Sequence, residues 1–139
     1  MKILVFDTET TGLPLRTGRN DPLINDVEKW PHIIQLSYLL YDTKLKKLLE
    51  CQDHIIKLPK NITISKESTN IHGINRSLCN RKGICIDYAI EDFNKTLQQC
   101  DCIVAHNLSF DKSMIQVENI RLNNKDSFKQ KNEYCTMKN

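Results

Sequence analysis

Apolar residues fall along this chain in short blocks whose spacing sorts them into strands and helices. Ile3-Leu-Val-Phe6 is a continuous apolar run, so Lys2 to Asp7 reads as a buried strand. From Ile33 to Tyr41, Ile34, Leu36, Tyr38 and Leu40 fall on one face, with Ile33, Gln35 and Ser37 on the other. A turn near Asp42-Thr-Lys44 leads into a third strand, Lys47 to Leu58. The short connections leave no room for crossover helices, which predicts three adjacent antiparallel strands.

Helical spacing follows. Ser65 to Asn70 suits a short helix ending at Gly73, a residue fitted to a left-handed cap. Asp87 caps a longer helix to Gln99, with Ile90, Phe93 and Leu97 on one stripe. Cys102 to Ala105 is a fourth short strand. Ser109 then caps a helix in which Phe110, Met114 and Val117 recur at helical spacing, joined by the stem of Arg121. Leu15 to Lys29 and Lys125 to Asn132 are polar and loop-like. Without repeats or linkers, the pattern predicts one α/β domain over residues 1–139.

The first strand runs straight into Asp7 and Glu9. Alternation turns both carboxylates to one face and Thr8 to the other. Adjacent carboxylates at a strand end repel and resist desolvation, and a divalent cation relieves both problems. The spacing alone serves equally well for the solvated end of an edge strand. Asp111 adds weight, because it falls in the first turn of a helix that starts just beyond the fourth strand. That is the usual side for a ligand crevice in a parallel or mixed sheet.

Composition narrows the class only a little. With 40% hydrophobic and 27% charged residues the chain is globular rather than disordered. A net charge of +3 is a weak pointer to nucleic acid, and the basic residues near the end read as a solvated surface. No apolar run approaches the ~20 residues of a membrane helix, so no membrane partner is expected. The opening residues are core strand rather than a signal peptide. The six cysteines lack zinc-ligand spacing and predict reduced, mostly buried thiols in an intracellular compartment, cytoplasmic or nuclear.

Phe6-Asp-Thr-Glu-Thr-Thr-Gly-Leu13 resembles the first motif of the DEDD 3′–5′ exonucleases, and His106-Asn-Leu-Ser-Phe-Asp111 resembles the second. This superfamily includes the proofreading epsilon subunit of DNA polymerase III, ribonuclease T and oligoribonuclease. Trp30-Pro-His-Ile-Ile-Gln-Leu-Ser37 looks like the family's second strand, and Ile71-His-Gly-Ile74 like its His-Gly-Ile segment. The resemblance implies a ribonuclease H-like mixed sheet with flanking helices, lacking its last helix. It also implies two-metal phosphodiester hydrolysis at 3′ ends of single-stranded DNA or RNA, with Mg²⁺ or Mn²⁺, two ions per site.

By match, Asp7, Glu9 and Asp111 are the catalytic and metal-holding residues. Thr8, Thr10, Thr11, Gly12, Leu13, His72, Ile74, Asn107 and Phe110 would form the substrate site. Gly12 would let backbone approach a ligand, and Leu13 would wedge against the terminal bases. Thr10 and Thr11 would bond the 3′ end or simply shape the turn. Phe110 reads first as packing, with stacking on a nucleotide as its second use.

The family takes its general base and fourth carboxylate from a third motif, H-x4-D or Y-x3-D. Here no histidine follows Asp111 and no aspartate follows Tyr134. Cys135-Thr-Met-Lys138 resembles the segment preceding that motif. The expectation is thus an exonuclease-type domain that is C-terminally incomplete, with weakened hydrolysis. The alternatives are an inactive remnant that binds nucleic acid or a DNA polymerase, or one part of a split exonuclease completed by a chain carrying the third motif. Replication proofreading would be its setting.

Overall fold

The computed structural model describes residues 1–129 and 131–138. Five strands, β1 (Lys2–Thr10), β2 (Ile33–Asp42), β3 (Lys47–Ile55), β4 (Cys102–Ala105) and β5 (Asn132–Cys135), form one sheet in the order β3-β2-β1-β4-β5. The β1–β2 and β2–β3 pairs are antiparallel, whereas β1–β4 and β4–β5 are parallel. Between β3 and β4 come α1 (Lys66–His72), α2 (Arg76–Lys82) and α3 (Ile86–Gln99), and α4 (Leu108–Arg121) joins β4 to β5. A single 3₁₀ turn, Val27–Lys29, interrupts the long loop after β1. The architecture is the mixed, ribonuclease H-like α/β sheet that the motifs imply.

Alternation along β1 sets its two faces. Leu4, Phe6, Thr8 and Thr10 are buried, while Val5 and Asp7 are exposed and Glu9 is half-buried. Leu4 and Phe6 join Ile90, Phe93 and Leu97 of α3 and Met114, Ile115 and Val117 of α4 in one core. Phe93 is its centre, with ring centroids 5.3 Å from both Phe6 and Tyr38. On the opposite face the pairing register lines up Cys51, Leu39, Val5, Val104 and Tyr134 across all five strands.

Several elements depart from the expected boundaries. β1 continues through Glu9 to Thr10, because antiparallel pairing with β2 carries it past the apolar run. The register slips there: Glu9 faces Gln35 but Thr10 faces Ile33, leaving Ile34 as the extra residue of a bulge. Ile33 therefore enters the main core. Ile34 turns to a second cluster with Leu58, Ile74 and Cys79. The third strand ends at Ile55, short of Leu58.

α1 matches expectation closely: Ser65 accepts from the Ser68 N–H as N-cap, and Gly73 closes the helix at φ 72°. Asp87 lies inside α3 and Ser109 inside α4, whose cap positions are Cys85 and Asn107, neither with a side-chain cap bond. A fifth strand, β5, begins at Asn132, where the expected loop ends, and lies at the sheet edge beside β4. The thiols are less buried than expected, since Cys51 and Cys85 are exposed. Among the described residues no helix is long and apolar enough to cross a membrane.

Candidate active site

β1 and β4 run parallel, so their C-terminal ends meet on one side of the sheet. The chain leaves β1 toward β2 and leaves β4 through α4 toward β5, in opposite directions across the sheet. Such a divergence opens a crevice between the two strand ends. Asp7 and Glu9 lie on the β1 side of it, His106 and Asn107 on the β4 side, and Asp111 in the first turn of α4.

Asp111 is the most constrained of these groups. It is 3% exposed, and its Oδ1 accepts from the Thr8 hydroxyl at 2.7 Å and from the Thr8 N–H at 3.3 Å. Burial lifts its carboxyl to about 7 against the pull of those bonds, and the charges of Asp7 and Glu9 add to the rise. Burial also raises Asp7, opposed by His106, and raises Glu9, helped by Asp7 and opposed by His72. Asp7 thus resists ionisation of Glu9, and both resist ionisation of Asp111.

Thr8, expected in the substrate site, is buried. It points away from the Asp7 face and into the core, where it orients Asp111. Ile74, also expected there, is 4% exposed and its side chain packs in the second cluster. The Thr10 hydroxyl donates to Gly12 O at 2.8 Å, and the Thr11 hydroxyl accepts from the His32 N–H at 3.0 Å, so both shape the turn after β1. Phe110 is half-buried and packs against the core, and Asn107 is exposed.

Gly12 and Leu13 stand differently. Gly12 has no positive φ, and a Cβ built there would meet only the Ser65 side chain, at 3.9 Å. Neither backbone nor packing within the protein demands glycine at this position, so the space beside it is free for a ligand. Leu13 is 74% exposed beside it.

A family model for exonucleases of the RNase T type matches residues 4–139. The chain belongs to the RNase T exonuclease family. No curated protein matches it significantly by sequence. Among solved structures, E. coli exonuclease I in complex with a dT13 oligonucleotide superposes with a TM-score of 0.76 at 15% identity, over 96% of this chain. The complex of exonuclease I with dA16 and the ExoI/SSB-Ct complex superpose at 0.76 and 0.75, each at 15% identity over 96% of this chain. The chain spans 27% of exonuclease I in the first of these and 28% in the other two. At that identity the likeness speaks for the fold.

Exonucleases of this family are generally dependent on divalent metal. The donor set here fits such an ion in kind: three mutually repelling carboxylates offer hard oxygens beside an open strand end. Both hydrogen bonds to Asp111 fall on Oδ1. As they stand, no three His, Cys, Asp or Glu side chains among the described residues are gathered closely enough to hold an ion. Binding would therefore draw the carboxylates together.

Sequence reasoning placed the stem of Arg121 on the α4 stripe but missed what its guanidinium holds, half-buried at the far end of the helix. That guanidinium donates to the carbonyls of Val27 (2.8 Å), Trp30 (2.8 Å) and Pro31 (3.0 Å) and pairs with buried Glu118. It thereby holds the segment whose next residue, His32, is bonded to Thr11. The only signal in the sequence was an arginine on an otherwise apolar stripe.

Proposed function

We propose that this domain hydrolyses phosphodiester bonds at the 3′ ends of single-stranded nucleic acid, releasing nucleotides in the 3′–5′ direction. The observation that carries the proposal is the coupled Asp7, Glu9 and Asp111 unit at the shared end of β1 and β4. Its repulsion, held in place by folding, is what bound Mg²⁺ or Mn²⁺ would relieve. Two divalent ions, when bound, supply charge neutralisation at the scissile phosphate and a nucleophilic hydroxide.

The chain's own groups have separable tasks. Asp7 and Glu9 hold metal from the sheet face, and Asp111 holds it from α4 with Thr8 fixing its carboxylate. The backbone at Gly12 approaches the terminal nucleotide, Leu13 presents an apolar edge to its base, and exposed Asn107 lies toward the phosphates. The complexes of exonuclease I with dT13 and dA16 support a single-stranded DNA ligand. A proofreading role beside a polymerase and a free-standing trimming role would use the same site.

No histidine follows Asp111 in these 139 residues. The general base and fourth carboxylate of the family's third motif are not among them. General bases contribute about 10²–10⁴-fold, so these residues alone bind 3′ ends well and cut them slowly. The test uses a 5′-labelled oligo-dT and its RNA counterpart, with anisotropy for binding and gel analysis for cleavage, in Mg²⁺ or Mn²⁺. Binding that needs a free 3′ end and is lost in Asp7→Asn supports the proposal. Binding indifferent to both the metal and Asp7 sinks it.

A further inference from the structure

His72 sits at the last position of α1, and both of its ring nitrogens are engaged. Nδ1 accepts from the Ile74 N–H at 3.0 Å, and Nε2 lies 3.1 Å from Thr10 O. A backbone N–H can only donate and a carbonyl can only accept. Nδ1 must therefore be bare and Nε2 must carry the proton, and a single neutral tautomer satisfies both partners. No ring nitrogen remains to meet a ligand.

The imidazole also has a firm base. Ile74 is anchored in the second core cluster, and Gly73 between them takes the left-handed conformation that ends α1. At the other end of the same helix the Ser65 N–H donates to Thr11 O at 2.8 Å. α1 therefore grips two successive carbonyls of the turn leaving β1, one at each of its ends. Gly12 and Leu13 follow directly, and Glu9 directly precedes.

We propose that His72 is a positioning residue: its Nε2–H fixes the Thr10–Leu13 turn in the shape that receives the substrate's terminal nucleotide. What the turn receives rests on the exonuclease function proposed above. The hold on the turn does not. His72 acts through Thr10 and touches neither substrate nor metal, which separates it from the substrate-binding role its motif implies.

Two substitutions divide its bonds. In His72→Asn the amide oxygen stands where Nδ1 stood and keeps the Ile74 bond, but nothing reaches Thr10 O. In His72→Gln the amide nitrogen stands near Nε2 and keeps the bond to Thr10 O. Imidazole ¹⁵N shifts at pH 8, with His72 assigned by its loss in His72→Asn, should report the Nε2–H tautomer. Amide exchange at Thr11 and Ser65 should accelerate in His72→Asn and stay near wild type in His72→Gln. One such hydrogen bond corresponds to roughly two- to tenfold in an equilibrium, so His72→Asn should weaken binding of a single-stranded oligo-dT by about fivefold, with His72→Gln restoring it.

An Nδ1–H tautomer, or wild-type exchange at Thr11 in His72→Asn, overturns the inference. Failure of the exonuclease proposal looks different: wild type then shows no Asp7-dependent binding of the oligonucleotide, while the shifts and exchange rates still decide whether His72 holds the turn.

Discussion

Asp111→Asn should make the metal-free protein more stable at pH 8. Burial and its neighbours lift the Asp111 carboxyl to about 7, some three units above the ~3.9 of an unfolded aspartate. The fold therefore holds this proton more tightly than the open chain does. That contribution is complete below about pH 4 and is lost as pH rises through about 7. At ~1.36 kcal/mol per unit, the ionised carboxyl costs the fold up to about 4 kcal/mol by pH 8. Asparagine keeps an oxygen for the Thr8 hydroxyl and N–H and carries no charge. In EDTA at pH 8 the variant should melt roughly 10 °C above wild type, while at pH 4.5 the two should nearly coincide. Mn²⁺ should then raise the wild-type melting temperature at pH 8 and leave the variant almost unmoved. A variant no more stable than wild type at pH 8, or equally displaced at both pH values, would refute the electrostatic account of this site.

Gly12→Ala should leave stability unchanged or raise it by about 0.4–1 kcal/mol, since its φ is not positive and its Cβ finds room, yet weaken oligonucleotide binding at least tenfold. Equal losses in denaturant midpoint and in affinity would mean the glycine serves the fold instead. Thr8→Val keeps the strand's shape but removes the 2.7 Å bond to Asp111, so it should cost about 1.5–3 kcal/mol at pH 8 by urea titration and markedly less at pH 4.5, where the carboxyl is neutral. Arg121→Met leaves Glu118 buried without its partner and should cost about 3–5 kcal/mol in the same titration. Adding Glu118→Gln should recover a large part of that loss, and a strictly additive double variant would argue against the pair.

Legibility of the chain followed how local each signal was. Asp7 and Glu9 on one face could be read from alternation, which needs only neighbours along the strand. α1 and its caps could be read because Ser65 and Gly73 act within a single turn. α2 could not: it is seven residues long with Cys79 as its one buried side chain, so no stripe announces it. β5 was equally hidden, since only Cys135 of its four residues is buried and its order comes from pairing with β4. The role of Thr8 depends on a partner 103 positions away, and the side exchange at Ile34 depends on a bulge set by another strand. The motif named the candidate residues; tertiary contacts distinguish those that face the crevice from those that brace it.

α4 carries Asp111 in its first turn and Arg121 in its last, and both are bonded to segments that determine where β1 ends. The helix thus works as a spacer of fixed length and phase. Deleting one residue between them would shorten it by ~1.5 Å and rotate one end against the other by ~100°, so Thr8 and Trp30 could not both be met. Residues 16–21, by contrast, are all exposed in the loop after β1. Length variation among relatives should accumulate in that loop and be absent from the nine residues between Asp111 and Arg121.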